Sequence, residues 1–246
     1  MKIYFPTPVF IASTASTNSF LADLCEKETL PELTSVYTAF QSSGRGQRGN
    51  SWESENGKNL LFSFVLYPDF IDAKRQFRLS QVTAIALQET LSQYADGITI
   101  KWPNDIYWRD KKLCGTLIEN DLTGHHITRS ISGTGVNLNQ MEFVSDAPNP
   151  VSLAQITGRE YDPREVLTEI MGRVATLYEM LRMGAEEAVH GTYIERFYRK
   201  EGFHPYSDKD GTFVARIVTV EPSGKLVLED DRGMTRKYMF KEVAFR

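Results

Sequence analysis

The segment Gln41-Ser42-Ser43-Gly44-Arg45-Gly46-Gln47-Arg48-Gly49-Asn50-Ser51-Trp52 sets three glycines and two arginines in one loop and ends it on a tryptophan. Glycines at alternating positions let the backbone approach a ligand and turn N–H groups inward. The arginines add charge suited to a phosphate or a carboxylate. Ordering such a loop costs about 1–2 kcal/mol of backbone entropy per residue, which a bound anion would offset. Taken alone, the segment reads more readily as a flexible surface hairpin.

Three further groups could do chemistry. In Lys101-Trp102-Pro103-Asn104-Asp105 the proline fixes a loop and the tryptophan anchors it. Asn104 and Asp105 can then point oxygens into a site or towards Mg2+. Alone, this is equally a buried Trp-Pro turn with an Asx bend. Lys112 stands three residues before Gly115, a cation beside a glycine, and by itself is a solvated hairpin lysine. Gly133-Thr134-Gly135-Val136-Asn137 permits close backbone approach, yet a lone G-x-G is weak support for nucleotide binding, and a tight turn explains it as well.

Taken in chain order, these groups mean more. Ser16-Thr17-Asn18, then Gly44-Arg45-Gly46-x-Arg48-Gly49-x-x-Trp52, then Lys101-Trp102-Pro103-Asn104-Asp105, then Lys112-x-x-Gly115-x-Leu117-x-Glu119, then Gly133-x-Gly135-x-Asn137 closely resembles the biotin protein ligase family. The resemblance runs from about residue 14 to the end. It implies a two-step reaction with biotin and ATP as substrates and Mg2+ as cofactor. Biotin's carboxylate attacks the α-phosphate of ATP, and a lysine of a biotin carboxyl carrier domain then takes biotin from the adenylate. It implies Lys112 and Arg45 as the catalytic cations. It implies Ser16, Thr17, Asn18, Gln41, Gly44, Arg45, Gly46, Trp52, Lys112 and Gly115 around biotin, with Trp52 lying over the bound ligand. Arg45, Gln47, Arg48, Trp52, Asn104, Lys112 and Asn137 would meet ATP or the adenylate, and Asp105 would face Mg2+. Loop 41–52 is expected to order when ligand binds.

Two features depart from the family pattern. Gln47 and Asn50 stand where many relatives carry arginines, which predicts weaker retention of the adenylate unless Arg48 or Lys58 compensates. No segment long enough for a helix-turn-helix domain precedes Ser16, so recognition of operator DNA is not expected. The alternative within the same fold is a lipoate or octanoate ligase or transferase, but the Arg-Arg-x-Ser-Gly-Gly-Gly type of loop expected there is absent. A nucleic-acid-binding module is the rival of another class, and a net charge of −4 with scattered Lys and Arg argues against it.

The elements that would position these residues can be read from periodicity. A short helix follows the capping oxygens of Ser16-Thr17-Asn18. Strands are expected over 34–40, 59–67, 98–101, 105–108, 113–119 and 127–139, with a helical face from Leu79 towards Tyr94. Hairpin-length connections make the later strands antiparallel. The fold class is therefore α+β: a mixed, largely antiparallel sheet flanked by helices, with helices covering one face. Helices are also expected over 152–156, from Pro163 through Leu181, and over 185–199. Beyond Gly202 three short β runs, 213–220, 225–229 and 236–245, suit a small SH3-like β-barrel. The expected division is a ligase domain at 1–200 and the barrel at 201–246.

Bulk properties fit this picture. The chain has 246 residues, 41% hydrophobic and 24% charged, ample for a substantial core in a soluble protein. Cys25 and Cys114 form neither a disulfide framework nor zinc spacing, which suits a reducing cytoplasm. Pro6 and Pro8 break the N-terminal apolar run, so it is too short for a signal peptide, and no later run reaches the ~18 apolar residues of a membrane span. The oligomeric state, monomer or homodimer, is open at this stage.

Overall fold

Leu60-Leu61-Phe62-Ser63-Phe64-Val65-Leu66 is apolar at every position but one, the signature of a strand covered on both faces. In the computed structural model, which describes residues 4–46, 51–144 and 148–246, this run is a strand buried at all seven positions. It lies in the interior of a sheet built from β1 (Val9–Thr14), β2 (Ser35–Gln41), β3 (Leu60–Leu66), β4 (Ile98–Lys101), β5 (Asp105–Trp108), β6 (Lys111–Thr123) and β7 (His126–Val136). The spatial order is β1-β2-β3-β7-β6-β5-β4. β1 and β2 are parallel, joined through helix α1 (Thr17–Lys27), and every other neighbour is antiparallel. The expected mixed, largely antiparallel sheet is present.

Side chains of β3 alternate between two cores, as a period of two requires. Leu60, Phe62, Phe64 and Leu66 join the larger core with α2 (Phe77–Leu91) and α4 (Pro163–Arg182). Val65 turns the other way, to Leu21 of α1, Val36 and Ile131. Helices thus cover both faces, not one. A short α1, flanked by strands it links in parallel, has to lie on the face that the larger helices leave open. After β7 come α3 (Leu153–Thr157), opened by a capping box at Ser152 and Gln155, and α4, capped by Asp162 with Pro163 in its first turn.

Helix α5 (Glu186–Glu195) stops four residues short of the expected end. The chain leaves it to pair with β4: Ile100 N–H donates to the Arg196 carbonyl and Tyr198 N–H to the Ile100 carbonyl, at 2.8 and 2.9 Å. After it β8 (His204–Asp208), β9 (Gly211–Val220), β10 (Leu226–Asp230), β11 (Thr235–Tyr238) and β12 (Ala244–Phe245) form a second, antiparallel sheet in the order β11-β10-β9-β8-β12. The run expected as one strand from Arg236 to Phe245 is split at Lys241, whose backbone is left-handed at φ 72°. Among the described residues β11 and β12 do not pair, so the small β unit is an open five-stranded sheet and not a closed barrel.

The second sheet docks on the first at Trp102. Its indole N–H donates to the Gly224 carbonyl at 3.0 Å, and Phe240 meets its ring edge-on at 6.3 Å. Two strands, β1 and β8, lack any sequence signal of their own. β1 is an edge strand with Phe10 57% exposed, so it shows neither alternation nor a buried run.

Candidate active site

Strand register carries the motifs to one place. Lys101 pairs with Asp105, Asp105 with Gly115, Gly115 with Gly135, and Gly135 with Leu61. Directly opposed residues share a face, so this row crosses five strands on the α1 side of the sheet. The next row is Leu117, Gly133 and Ser63. Above these rows lies a cavity of about 840 Å³, lined by Ser16, Thr17, Asn18, Gln41, Arg45, Gly46, Trp52, Lys101, Asn104, Asp105, Tyr107, Lys112, Gly115, Gly133, Gly135, Asn137 and Phe240, among others. That volume is in the range of sites for drug-sized ligands.

Lys112 reaches this face because of a bulge. Register between β5 and β6 slips after Ile106, so Tyr107 opposes Lys112 and Leu113 is the extra residue. Leu113 enters the main core, and Lys112 joins Tyr107 on the cavity side. Lys112 is therefore no solvated hairpin lysine. Its Nζ sits 2.8 Å from Asp105 Oδ1, with both side chains about a quarter exposed, and 5.8 Å from the centre of the Trp52 ring. The carboxylate expected to face Mg2+ is held by an ammonium instead. Lys101 donates to the Tyr107 hydroxyl at 2.9 Å. Burial pushes its pKa down, Asp105 opposes that shift and Lys112 reinforces it. Burial pushes the Tyr107 hydroxyl and the Cys114 thiol up, so neither ionises near neutral pH and Cys114 is an inert core residue.

At the other end of the cavity the start of α1 is tied down by polar contacts. Thr17 donates to Gln41 Oε1 from its backbone N–H at 2.7 Å and from its hydroxyl at 3.1 Å. Ser63 Oγ lies 2.7 Å from Thr17 Oγ1 and 2.6 Å from Asn18 Oδ1. Asn18 Nδ2 donates to Glu119 Oε2 at 2.7 Å, and the same oxygen accepts from Arg45 Nη2 at 2.9 Å. A Cβ at Gly133 would fall 2.1 Å from Asn18 Oδ1, so only glycine leaves room for the amide. Ser16 occupies the cap position of α1 without a side-chain cap bond, which leaves its hydroxyl to the cavity.

The glycine-arginine loop closes through Trp52 N–H to the Gly44 carbonyl at 3.0 Å and a bridge between Arg45 and Ser51. Gly46 lines the cavity, and Gly44 lies under Trp52. Gln47, Arg48 and Asn50 lie outside the described residues, and so does the central part of the loop. Trp52 rests directly on the glycine floor: a Cβ at Gly135 would lie 2.3 Å from its Cε2, and one at Gly115 would lie 3.0 Å from its Cζ3. Its indole N–H is buried without a hydrogen-bond partner among the described residues.

Asn104 and Asn137 both line the cavity, but each uses its amide on the protein. Asn104 Nδ2 donates to the Thr116 carbonyl, and Asn137 Nδ2 to the Val151 carbonyl at 3.2 Å. All the expected site residues that are described, except Gly44, thus line one cavity, and Gly44 packs against Trp52 and Gln41, which do line it. The sequence reading assigned no role to Ser63, Glu119 or Phe240. Ser63 is signalled by being the one polar residue in an apolar strand, and Glu119 by its place in the Lys112 motif. Phe240 carries no local signal, because it reaches the site from the second sheet.

The profile described as "Biotin/lipoate A/B protein ligase family" matches residues 10–137, just over half of the chain. The chain belongs to that family. The bifunctional ligase/repressor BirA of Bacillus subtilis is 28% identical over 240 residues, covering 93% of this chain and 70% of BirA. The biotin--[acetyl-CoA-carboxylase] ligase of Paracoccus denitrificans is 29% identical over 202 residues, covering 78% and 82%. The biotin protein ligase of Aquifex aeolicus, solved in complex with biotin and ATP, shares the fold with a TM-score of 0.80 over 98% of this chain and 99% of that one, at 24% identity.

Proposed function

We propose that this chain is an ATP-dependent biotin protein ligase. What carries the reading is the meeting of five separated motifs at one cavity, with cations at its wall and small residues in its floor. In the first step an oxygen of biotin's carboxylate attacks the α-phosphorus of ATP and pyrophosphate leaves, giving biotinyl-AMP. In the second, the amine of an acceptor lysine attacks the biotinyl carbonyl. AMP leaves with the bonding electron pair and the amine loses a proton. Neither step needs a protein nucleophile. Both need fixed positive charge around one phosphate and one carbonyl.

Lys112 supplies that charge, and Asp105 keeps its ammonium aimed into the cavity. A unit charge pair at ~4 Å is worth roughly 4 kcal/mol at an effective dielectric near 20. Arg45 brings a second cation at the root of the loop. Ser16, Thr17, Asn18 and Gln41 present the mixture of donors and acceptors that a ureido ring requires. Asn104 and Asn137 hold the walls of the nucleotide end, and Trp52 covers the ligand after lifting from the floor. Mg2+ would enter with the ATP phosphates. Among the described residues no three His, Cys, Asp or Glu side chains cluster, and Asp105 is engaged by Lys112, so the donor set does not fit a protein cage for the ion.

The protein substrate in this reading is a biotin carboxyl carrier domain, met in the cytoplasm. Residues 1–200 act as the ligase domain and 201–246 as the small β domain, whose Phe240 closes one wall. No described helix is long and apolar enough to cross a membrane. The test is biotin-dependent exchange of pyrophosphate into ATP, with lipoate and octanoate as controls. Exchange that responds to lipoate and not to biotin would transfer the chain to the lipoate branch of its family.

A further inference from the structure

Asn18 and Arg45 belong to different segments, the first turn of α1 and the root of the glycine-arginine loop. Both line the cavity, and both donate to one oxygen, Glu119 Oε2, at 2.7 and 2.9 Å. Glu119 itself stands behind them, outside the cavity lining, opposite Ile131 on the row next to Leu117 and Gly133. From that place it meets its two partners without competing for whatever they bind. Asn18 is otherwise held by Ser63 on its oxygen and by a longer bond, 3.4 Å, from its Nδ2 to the Leu117 carbonyl, and it has no room to retreat because Gly133 lies against it. Loss of Glu119 would leave the Asn18 Nδ2 with only the 3.4 Å bond to the Leu117 carbonyl, and the Arg45 guanidinium, 45% exposed, with only a 3.4 Å bond to Ser19 Oγ.

We propose that Glu119 is the positioning residue of the acid-substrate site: one carboxylate sets the Asn18 amide and the Arg45 guanidinium in the arrangement that receives biotin. The inference rests on the reading of the chain as a biotin ligase. A carboxylate accepting from a guanidinium and an amide forms charge-assisted bonds with fixed directions, which suits it to orienting two groups at once. Its contribution to folding is small, because the Arg45–Glu119 pair is half-exposed and screened.

The test is steady-state pyrophosphate exchange on the full chain with Glu119→Ala and Glu119→Gln. The alanine variant is expected to raise KM for biotin about tenfold with kcat within about twofold, as loss of a charge-assisted bond at substrate-positioning groups implies. The glutamine variant retains an acceptor for Asn18 but loses the charge for Arg45, so its KM falls between the two, and thermal melting of both stays near wild type. Unchanged KM for biotin in either variant overturns the proposal, as does a fall in kcat at unchanged KM. Should the alanine variant fail to fold, the near-isosteric glutamine variant decides alone. Wild-type protein without biotin-dependent exchange would instead overturn the functional reading, whereas active wild type with indifferent variants overturns only the role of Glu119.

Discussion

Replacing Lys112 by alanine separates the chemistry of the site from the stability of the fold. The ammonium lies 2.8 Å from Asp105, with the two side chains 26% and 21% exposed. At that distance the gross attraction is about 6 kcal/mol for an effective dielectric near 20. Most of this is offset by desolvation and lost side-chain freedom, so the net loss of folding stability should be about 1 kcal/mol. For a chain of this size that is a fall of ~2–4 °C in Tm. Catalysis should respond far more. Lys112 is the charge facing the carboxylate and α-phosphate, and removal of one preorganised charge-stabilising donor typically lowers kcat by about 10²–10³.

The assay pairs pyrophosphate exchange with thermal melting of the same sample, and Asp105→Asn serves as the partner variant. That substitution leaves the ammonium present but less firmly aimed, so exchange should fall by less than for Lys112→Ala. Exchange by Lys112→Ala within a few-fold of wild type would remove Lys112 from the mechanism. A melting loss large enough to unfold the protein at assay temperature would mean that the ion pair serves the fold. Lys112→Met, which keeps the volume, would then separate the two effects.

Gly135→Ala should weaken biotin binding and alter Trp52 fluorescence, because the new Cβ would lie 2.3 Å from the indole; overpacking of this kind costs about 1–3 kcal/mol. A variant with wild-type emission and affinity would show that Trp52 does not rest on this floor. Trp102→Phe removes the hydrogen bond to the Gly224 carbonyl, about 1 kcal/mol, and should speed hydrogen exchange across residues 221–240 before it affects the first sheet; uniform acceleration would contradict a local docking role. Lys101→Met tests the depressed pKa. Burial disfavours the ammonium in the folded state, so between its folded pKa and the unfolded value near ~10.4 the unfolded chain binds more protons and the Lys101 contribution to stability rises with pH. The stability of Lys101→Met relative to wild type should therefore decline as pH is raised from neutral towards that value, and a pH-independent difference would refute the sign.

Much of the site was legible because its motifs follow one another in a fixed order along the chain. The glycine-arginine loop and Lys-Trp-Pro-Asn-Asp each read alone as an ordinary hairpin or turn, and it is their fixed order with the Lys112 and Gly133 groups that marks a site. The strands Ile98–Lys101 and Asp105–Trp108 could be placed to the residue, since the turn residues between them leave no latitude. What stayed hidden depends on contacts distant in sequence. Nothing near Phe240 marks it as a cavity wall, and nothing in α5 announces that its last turn is given up to pair with β4. Edge strand β1 is exposed on both sides, so no pattern of burial is written into it.

The hardest feature to foresee is the bulge between β5 and β6. A regular ladder would place Leu113 opposite Tyr107, and Lys112 would then point into the apolar core, where an unpaired ammonium is unsustainable. One inserted residue reverses this. It sends Leu113 to the core and Lys112 to the cavity, and brings the ammonium within 2.8 Å of the carboxylate two strand positions away. The Lys-x-x-Gly spacing is then intelligible. Gly115 sits in the row that joins Asp105 to Gly135, and Lys112 reaches back over it, with Nζ only 3.3 Å from where a Cβ would be. A side chain at position 115 would displace the ammonium, and any residue at 135 larger than glycine would displace Trp52. The Lys-x-x-Gly and Gly-x-Gly motifs, each weak when read alone, are two strands of the same floor.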